Sequence, residues 1–292
     1  MKVIRARVLG FCSGVRRAVD IAWNESGAES GASRVYTLGP LIHNPRVLKS
    51  LRERGLGVLN DDFIPAEAVN STVIIRAHGV SPSVEKKFNR QGVRIVDATC
   101  PHVKESQNKA RHYAEQGYKI FLAGEKDHGE IAGIRGYVEG NLGSACIAAG
   151  DPREAEEAAA ELYFKDQNAD TVLLGQTTFS TAEYKAIDQA IRKYFPKLVT
   201  INTICGATAD RQKALKELCG KVDAVIIAGG KESSNTRRLL AAAGELGKPA
   251  WLVETCSDIP AGIGKYETVG LSAGASTPDD LIDEIEKALN AV

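Results

Sequence analysis

The segment VRIVDATCPHV, residues 93–103, decides the fold because it joins a strand pattern to a helix start through one cysteine. Its β-branched run favours a buried pleated strand, and Pro101 suits the first position of a helix, where its missing N–H would be unpaired anyway. The segment therefore predicts Cys100 at the carboxyl end of a strand, which is where α/β sheets place their ligands.

Two other segments have the same pattern. RVLGFCSGV, residues 7–15, brings Cys12 from a strand end to a helix start, and LVTINTICGA, residues 198–207, does the same for Cys205. Three separate parts of the chain therefore predict thiols at matching places, and we expect these thiols to converge on one metal centre.

The composition is that of an ordinary globular protein and disfavours several functional classes. The 292 residues are 43% hydrophobic and 25% charged, and 37 Lys and Arg residues balance 37 Asp and Glu residues. A balanced charge gives no basic surplus for nucleic acid or for an anionic membrane. No apolar run approaches the ~20 residues that cross a bilayer, and the first residues lack a signal-peptide or transit-peptide pattern. We therefore expect a cytoplasmic protein with neither nucleic acid nor membrane as a partner.

In a reducing compartment, the six cysteines indicate ligands, nucleophiles or core residues rather than disulfides. Cys146 and Cys219 lie outside the strand–cysteine–helix pattern, and Cys256 follows a strand pattern without an immediate Gly or Pro helix start. Because cysteine is among the most buried residue types, we expect these three to be structural residues of the core.

Strand and helix patterns alternate along the chain, which predicts parallel α/β layers. The spacing from Cys100 to Gly124 equals that from Cys205 to Gly229, and the stretch after Cys12 is slightly longer. In each case a helix follows the cysteine, and then a strand that ends in glycine. A chance similarity of generic βα units would explain the glycines, but not one cysteine at a matching place in each unit.

The repeat predicts three similar α/β lobes in a pseudo-threefold arrangement around a central site. The strand carboxyl ends of all three lobes would face that centre. We expect lobe 1 at residues 14–98 with an N-terminal strand at 1–13 that brings Cys12 to the centre, lobe 2 at 99–198, lobe 3 at 199–278 and a C-terminal helix at 279–292.

Three widely spaced cysteines allow three chemical interpretations. Zinc would take the thiolates with a histidine, but structural zinc sites usually use short C-x₂₋₄-C pairs, and no CxxC occurs in the sequence. A [4Fe–4S] cluster suits thiolates, and three cysteines leave one iron open to bind a substrate oxygen and pass electrons to it. A redox-inert catalytic thiol at Cys12 or Cys205 is also consistent with a helix start, but it leaves two cysteines unexplained.

Polar clusters at strand ends predict an anion site. Neutral donors at helix starts suit a phosphate or diphosphate, because helix N-termini offer free N–H groups and a positive dipole end. GGKESSN lacks P-loop spacing and no strand-linked GxGxxG occurs, so we expect neither nucleotide hydrolysis nor nicotinamide binding, and electrons from another protein. The predicted donors are His43, His78, His128, Ser233, Ser234, Asn235 and Ser276.

Glu130, which follows His128 by two residues in DHGEIAG, is the predicted proton donor. A carboxyl group in a dry pocket near an anionic phosphate holds its proton more tightly than one in water. The alternative is a solvated glutamate that the helix dipole favours at a helix start.

Taken together, the motifs closely resemble the 4-hydroxy-3-methylbut-2-enyl diphosphate reductase family, also called IspH or LytB. The resemblance implies three α/β lobes around an iron–sulfur cluster and the last step of the non-mevalonate (MEP) isoprenoid pathway. In that step the substrate loses its hydroxyl group by two-electron reduction and protonation, which gives isopentenyl and dimethylallyl diphosphates. The matching motifs, spanning residues 11–276 in the family's order, are GFCSGVRRAV, LGPLIHN, RAHGV, DATCPHV, DHGEIAG, QTTFS, NTICGAT, SSNTRRL and AGAS.

By position, the resemblance implies specific roles for individual residues. Glu130 matches the proton source with His128 beside it, and Thr177 matches a residue near the substrate hydroxyl, with Thr178 as its neighbour. The implied partners are an allylic diphosphate substrate and an electron-donor protein such as ferredoxin or flavodoxin. The ligands of the [4Fe–4S] cluster would be Cys12, Cys100 and Cys205, and the diphosphate pocket would contain His43, His78, His128, Ser233, Ser234, Asn235 and Ser276.

Two residues depart from the family pattern. Glu232 stands where asparagine is common, and Ser272 stands where threonine is common, but neither is a ligand.

Two rival functions are also consistent with the motifs. An iron–sulfur dehydratase would use an open iron without net redox change, so consumption of two electrons separates it from a reductase. A non-catalytic iron–sulfur or zinc sensor predicts no turnover of an allylic diphosphate, and it gives no reason for the phosphate-suited serines and asparagine.

Overall fold

The structure, a computed structural model, describes residues 1–27, 34–60, 68–90, 92–139 and 144–292. These residues form two compact units. Unit 1 contains Met1–Arg16, Ile42–Leu51 and Gly206–Val292, and unit 2 contains Arg17–Leu41 and Arg52–Cys205.

Strands and helices alternate along most of the described chain, as the sequence predicts. The strands are β1 (Lys2–Arg5), β2 (Val35–Leu38), β3 (Gly57–Leu59), β4 (Thr72–Ile75), β5 (Arg94–Asp97), β6 (Lys119–Ala123), β7 (Cys146–Ala149), β8 (Thr171–Gly175), β9 (Val199–Ile201), β10 (Ala224–Ala228), β11 (Ala250–Val253) and β12 (Thr268–Ala273). The helices are α1 (Ser13–Gly27), α2 (Pro45–Glu53), α3 (Pro82–Asn89), α4 (Pro101–Glu115), α5 (Gly129–Glu139), α6 (Pro152–Lys165), α7 (Thr181–Arg192), α8 (Gly206–Cys219), α9 (Ser234–Glu245) and α10 (Asp279–Asn290).

The strands of the described chain form three four-stranded parallel sheets with one common topology. Unit 2 contains the sheets β3-β2-β4-β5 and β7-β6-β8-β9, and unit 1 contains the sheet β11-β10-β12-β1. The first strand after each predicted cysteine lies second in order, as β2, β6 and β10, and α-helices form most of the crossovers that parallel pairing requires. Three sheets of one topology with flanking helices confirm the prediction of three similar α/β lobes.

The strand before each cysteine lies at the edge of a sheet. β5 pairs with β4, β9 pairs with β8, and β1 pairs with β12. The sequence repeat counts this strand as the first of each unit, whereas it is the last strand of each sheet. The difference arises because an equal spacing between repeats does not fix where a repeating unit begins.

The N-terminal strand is shorter than the expected strand at residues 1–13. β1 ends at Arg5, and residues 6–12 have no regular secondary structure. Gly10 in this segment has a positive φ of 78°, which is incompatible with an extended strand and is readily adopted by glycine. Cys12 therefore lies at the end of a loop rather than at the end of a strand.

The central strands are buried because helices cover both faces of parallel sheets. Every residue of β4, β8 and β10 is buried. Helix α10 covers the sheet of unit 1 with an apolar stripe at helical spacing, which contains Leu281, Ile282, Ile285 and Leu289. The helices follow the carboxyl ends of the strands, and the predicted site residues lie at those ends.

Candidate active site

The three predicted metal ligands occupy equivalent places in the three sheets. The backbone N–H of each cysteine donates to a carbonyl two residues beyond the third strand of its sheet. The pairs are Cys12 to Ala275 at 3.1 Å, Cys100 to Ala77 at 3.0 Å and Cys205 to Thr177 at 2.9 Å. The segment after the third strand of each sheet therefore binds the backbone of its cysteine in the same way.

Each of these cysteines directly precedes a helix. Cys12 precedes α1, Cys100 precedes α4 and Cys205 precedes α8. The three thiols are half-buried, and the Cys12 Sγ accepts a hydrogen bond from the Val15 N–H at 3.4 Å. Because a helix N-terminus stabilises negative charge and the thiolate is the ligating form, this donor set fits an iron–sulfur cluster.

Glu130 is a buried acid in unit 2. Its side chain is 1% exposed, and it accepts the Thr177 N–H at 2.7 Å and the Thr177 hydroxyl at 2.8 Å. Burial raises the pKa of Glu130 to about 7, although both hydrogen bonds from Thr177 favour the charged form. Glu130 lies in the first turn of α5, but its burial contradicts the alternative of a solvated helix-start glutamate.

Two histidines adjoin this acid. His128 Nδ1 accepts the Glu130 N–H at 3.1 Å, so the hydrogen-bond geometry assigns the proton of a neutral ring to Nε2. The rings of His78 and His128 meet edge to face with their centroids 5.0 Å apart. His78 follows Ala77, whose carbonyl accepts the Cys100 N–H. Unit 2 therefore brings His78, His128, Glu130 and Thr177 together between the backbone contacts of Cys100 and Cys205.

Gln176 joins the segment after β6 to Thr178, although the sequence gives it no role beyond its place in QTTFS. Its side chain is fully buried, its Oε1 accepts the Glu125 N–H at 2.9 Å, and its Nε2 donates to the Thr178 hydroxyl at 2.8 Å. Gly124 makes room for this arrangement, because a Cβ there would lie 2.8 Å from Gln176 Oε1. The signal in the sequence was a polar residue, Gln176, directly after the apolar strand pattern TVLLG.

A second group of predicted residues lies in unit 1. The Ser276 hydroxyl donates to the His43 carbonyl at 3.2 Å and to the Ser233 hydroxyl at 3.3 Å. Asn235 Oδ1 accepts the Ala275 N–H at 2.9 Å, and Ser233 caps helix α9, whose first residue is Ser234. The four serine and asparagine side chains are buried. Neutral polar side chains at a helix N-terminus are suited to an anionic group.

Contacts inside each unit therefore join the predicted residues into two groups. The polar group of unit 1 contains His43, Ser233, Ser234, Asn235 and Ser276, and Cys12 also belongs to this unit. The acid–histidine group of unit 2 contains His78, His128, Glu130, Thr177 and Thr178, and Cys100 and Cys205 also belong to that unit.

The other three cysteines differ from one another in burial. Cys219 is buried, and burial raises the pKa of the half-buried Cys146 thiol to about 12, as expected for residues of the core. Cys256 is exposed, so the expectation that it is buried is wrong. It opens a short 3₁₀ turn after β11, and a capping box between Thr255 and Asp258 satisfies the local backbone without burial.

Comparison with known proteins identifies the family. Residues 3–290 match the family described as LytB protein. The chain belongs to the LytB family. A relative from Treponema denticola, named 4-hydroxy-3-methylbut-2-enyl diphosphate reductase, is 45% identical over an alignment of 297 positions that covers 99% of this chain and 99% of that protein.

Two solved structures resemble this LytB-family chain along its length. The E-1-hydroxy-2-methyl-but-2-enyl-4-diphosphate reductase from Plasmodium falciparum has a TM-score of 0.88 and 27% identity, covering 99% of this chain and 87% of that one. An (E)-4-hydroxy-3-methyl-but-2-enyl diphosphate reductase, described as the terminal enzyme of the non-mevalonate pathway, has a TM-score of 0.69 and 34% identity, with both chains covered completely. Among the residues that the structure describes, no helix of this chain is both long enough and apolar enough to cross a membrane.

Proposed function

We propose that this chain reduces (E)-4-hydroxy-3-methylbut-2-enyl diphosphate to isopentenyl and dimethylallyl diphosphates, the last step of the non-mevalonate isoprenoid pathway. Full-length similarity to reductases of that name supports this reaction. The proposal depends on one observation within the chain, which is that Cys12, Cys100 and Cys205 occupy equivalent positions. Each directly precedes a helix, and the backbone N–H of each donates to a carbonyl two residues beyond the third strand of its sheet. One cysteine from each of three sheets is the pattern expected for a shared metal cluster.

The proposed cofactor is a [4Fe–4S] cluster with Cys12, Cys100 and Cys205 as ligands. Half-buried thiols directly before helix N-termini support this donor set, and family membership supports an iron–sulfur group. When bound with one iron lacking a protein thiolate, such a cluster supplies electrons and a Lewis-acid position. An allylic alcohol needs both in order to lose its hydroxyl group by reduction.

The proposed role of the unit 1 group is to bind the diphosphate. Ser233, Asn235 and Ser276 lie within one hydrogen-bonded network with the His43 backbone, so their positions are fixed before a ligand arrives. The positive end of α9 adds a favourable interaction with the anion.

The proposed role of Glu130 is to supply the proton that the leaving hydroxyl group needs. Reductive loss of a hydroxyl group consumes two electrons and two protons and releases one water molecule. With a pKa of about 7, Glu130 holds a proton at neutral pH more often than an exposed carboxyl group does. Thr177 orients the carboxyl group through its N–H and hydroxyl, and a neutral His128 has a donor at Nε2.

The electron donor, the location and the lobe boundaries are also part of the proposal. We propose that an electron-donor protein such as ferredoxin or flavodoxin supplies the electrons, since the sequence has no nicotinamide-binding pattern of its own. We also propose a cytoplasmic location and three lobes at residues 14–98, 99–198 and 199–278, with β9 (Val199–Ile201) assigned to the second lobe because it pairs with β8.

Anaerobic purification with iron and sulfide analysis tests the proposal. The expected result is an iron–sulfur spectrum that changes when the allylic diphosphate is added, and consumption of two electrons per product. Turnover without electron consumption would favour a dehydratase, and an intact cluster with no turnover of the diphosphate would favour a sensor. Chains that retain no iron after anaerobic reconstitution would contradict the cluster itself.

A further inference from the structure

The loop before Cys12 is longer than the loops before the other two proposed ligands. Residues 6–11 separate Cys12 from β1, whereas residues 98–99 separate Cys100 from β5 and residues 202–204 separate Cys205 from β9. A longer irregular loop has more conformations, and restricting it to one of them costs more conformational entropy. A ligand on such a loop therefore requires additional contacts to be held in one place.

Arg211 on α8 supplies such contacts inside unit 1. Its side chain is buried, its Nη2 donates to the Gly10 carbonyl at 2.5 Å, and its Nη1 donates to the Ala207 carbonyl at 2.8 Å. Gly10 precedes Cys12 by two residues, and Ala207 follows Cys205 by two residues. One guanidinium group therefore joins two backbone segments that each lead directly to a proposed ligand.

The chemistry of arginine suits this task. A guanidinium group presents donors in a rigid planar fork, so two carbonyls bonded to it have a fixed relative position. Lysine carries a single flexible ammonium group and cannot impose the same geometry. Burial of a charged side chain is unfavourable unless its donors form hydrogen bonds. The buried position of Arg211 therefore depends on its bonds to these two carbonyls.

We propose that Arg211 is a positioning residue that fixes the Cys12 loop against the start of α8 and so holds the Cys12 thiolate in place for the cluster. The proposal rests on the proposed function, because it takes Cys12 to be a cluster ligand. It extends that function by assigning a role to a residue that contacts the backbone beside the ligands rather than the ligands themselves.

The test compares Arg211→Met with the matched variant Arg46→Met in the reconstituted holoenzyme. Arg46 also joins two elements of unit 1, because it binds Glu284 of α10 from α2, and neither helix begins at a proposed ligand. The measurements are the rate at which an iron chelator removes the cluster and the EPR spectrum of the reduced cluster. For Arg211→Met we expect removal faster by about tenfold and an altered spectrum, as is usual when a residue supporting a metal ligand is lost.

The control is expected to keep the wild-type rate and spectrum. A wild-type rate or a wild-type spectrum in Arg211→Met would overturn the inference, even if its melting temperature falls. If Arg211→Met does not fold, Arg211→Lys is measured in the same way, with an intermediate rate expected and a wild-type rate counting against the inference. Loss of iron from the wild-type chain would instead contradict the proposed function.

Discussion

Replacement of Thr177 by valine is expected to move the pH dependence of turnover to higher pH. Valine has nearly the shape of threonine, so the change removes the hydroxyl that donates to Glu130 at 2.8 Å and leaves the backbone N–H bond at 2.7 Å. The lost hydrogen bond favours the ionised carboxylate. Its removal therefore raises the pKa of Glu130 further above the ordinary value.

The size of the shift follows from the energy of that bond. A hydrogen bond to a charged group contributes about 1.5–3 kcal/mol, and one pKa unit corresponds to about 1.4 kcal/mol, so the pKa should rise by roughly one to two units. Glu130 must be protonated to act as an acid, so activity falls as the pH rises through its pKa. The alkaline limb of kcat/KM should lie near pH 7 in the wild type, as the pKa of about 7 indicates. In the Thr177→Val variant it should lie roughly one to two units higher.

The assay is anaerobic steady-state turnover of the allylic diphosphate with a chemical reductant, measured across the pH range for both proteins. Titration of the diphosphate itself affects both profiles equally, so the difference between the limbs reports on Glu130. Glu130→Gln serves as the control, because it retains an acceptor for the Thr177 N–H and has no carboxyl group to titrate. An alkaline limb that stays in place, or moves to lower pH, in Thr177→Val would refute the assignment of Glu130 as the acid.

Three further predictions concern the ligands, the acid and the core. Cys205→Ser should lower the iron content per chain sharply, whereas the exposed Cys256→Ser should leave it unchanged, and full iron retention in the first variant would count against ligation by Cys205. Glu130→Gln should keep the cluster and bind substrate but lose about 10²–10⁴-fold in turnover, and near-normal turnover would remove Glu130 from the mechanism. Ile285→Ala should lower the free energy of unfolding by about 2–5 kcal/mol in urea denaturation, because this fully buried side chain packs on the sheet of unit 1. A negligible change would contradict that packing.

Local sequence patterns predicted the elements whose residues favour them intrinsically. The strand–cysteine–helix pattern placed Cys100 at a helix start because Pro101 and the β-branched run act through local propensity. Helix α5 was not predicted, because glycines weaken a helix pattern. The structure explains two of these glycines by close packing, since a Cβ at Gly136 would lie 2.2 Å from Ser81 Cβ, and one at Gly133 would lie 3.3 Å from Gln107 Nε2.

The contacts that make the candidate site join distant parts of the chain. The bond between Glu130 and Thr177 and the bond between Arg211 and Gly10 depend on tertiary packing, which periodicity and spacing do not contain. Local patterns therefore indicated which residues are chemically suitable, and the family resemblance supplied their roles. Cys256 illustrates the limit, because the general tendency of cysteine to be buried gave a wrong expectation at a turn that is stabilised by its own caps.

The pairing of β1 with β12 has a consequence for biosynthesis. The ribosome makes β1 and Cys12 early, but the strand and the Ala275 carbonyl that hold them are made near the other end of the chain. Until β12 has been translated, the nascent chain therefore carries Cys12 without these contacts. If Cys12 is a cluster ligand as proposed, the three-cysteine site is complete only after β12 has been made.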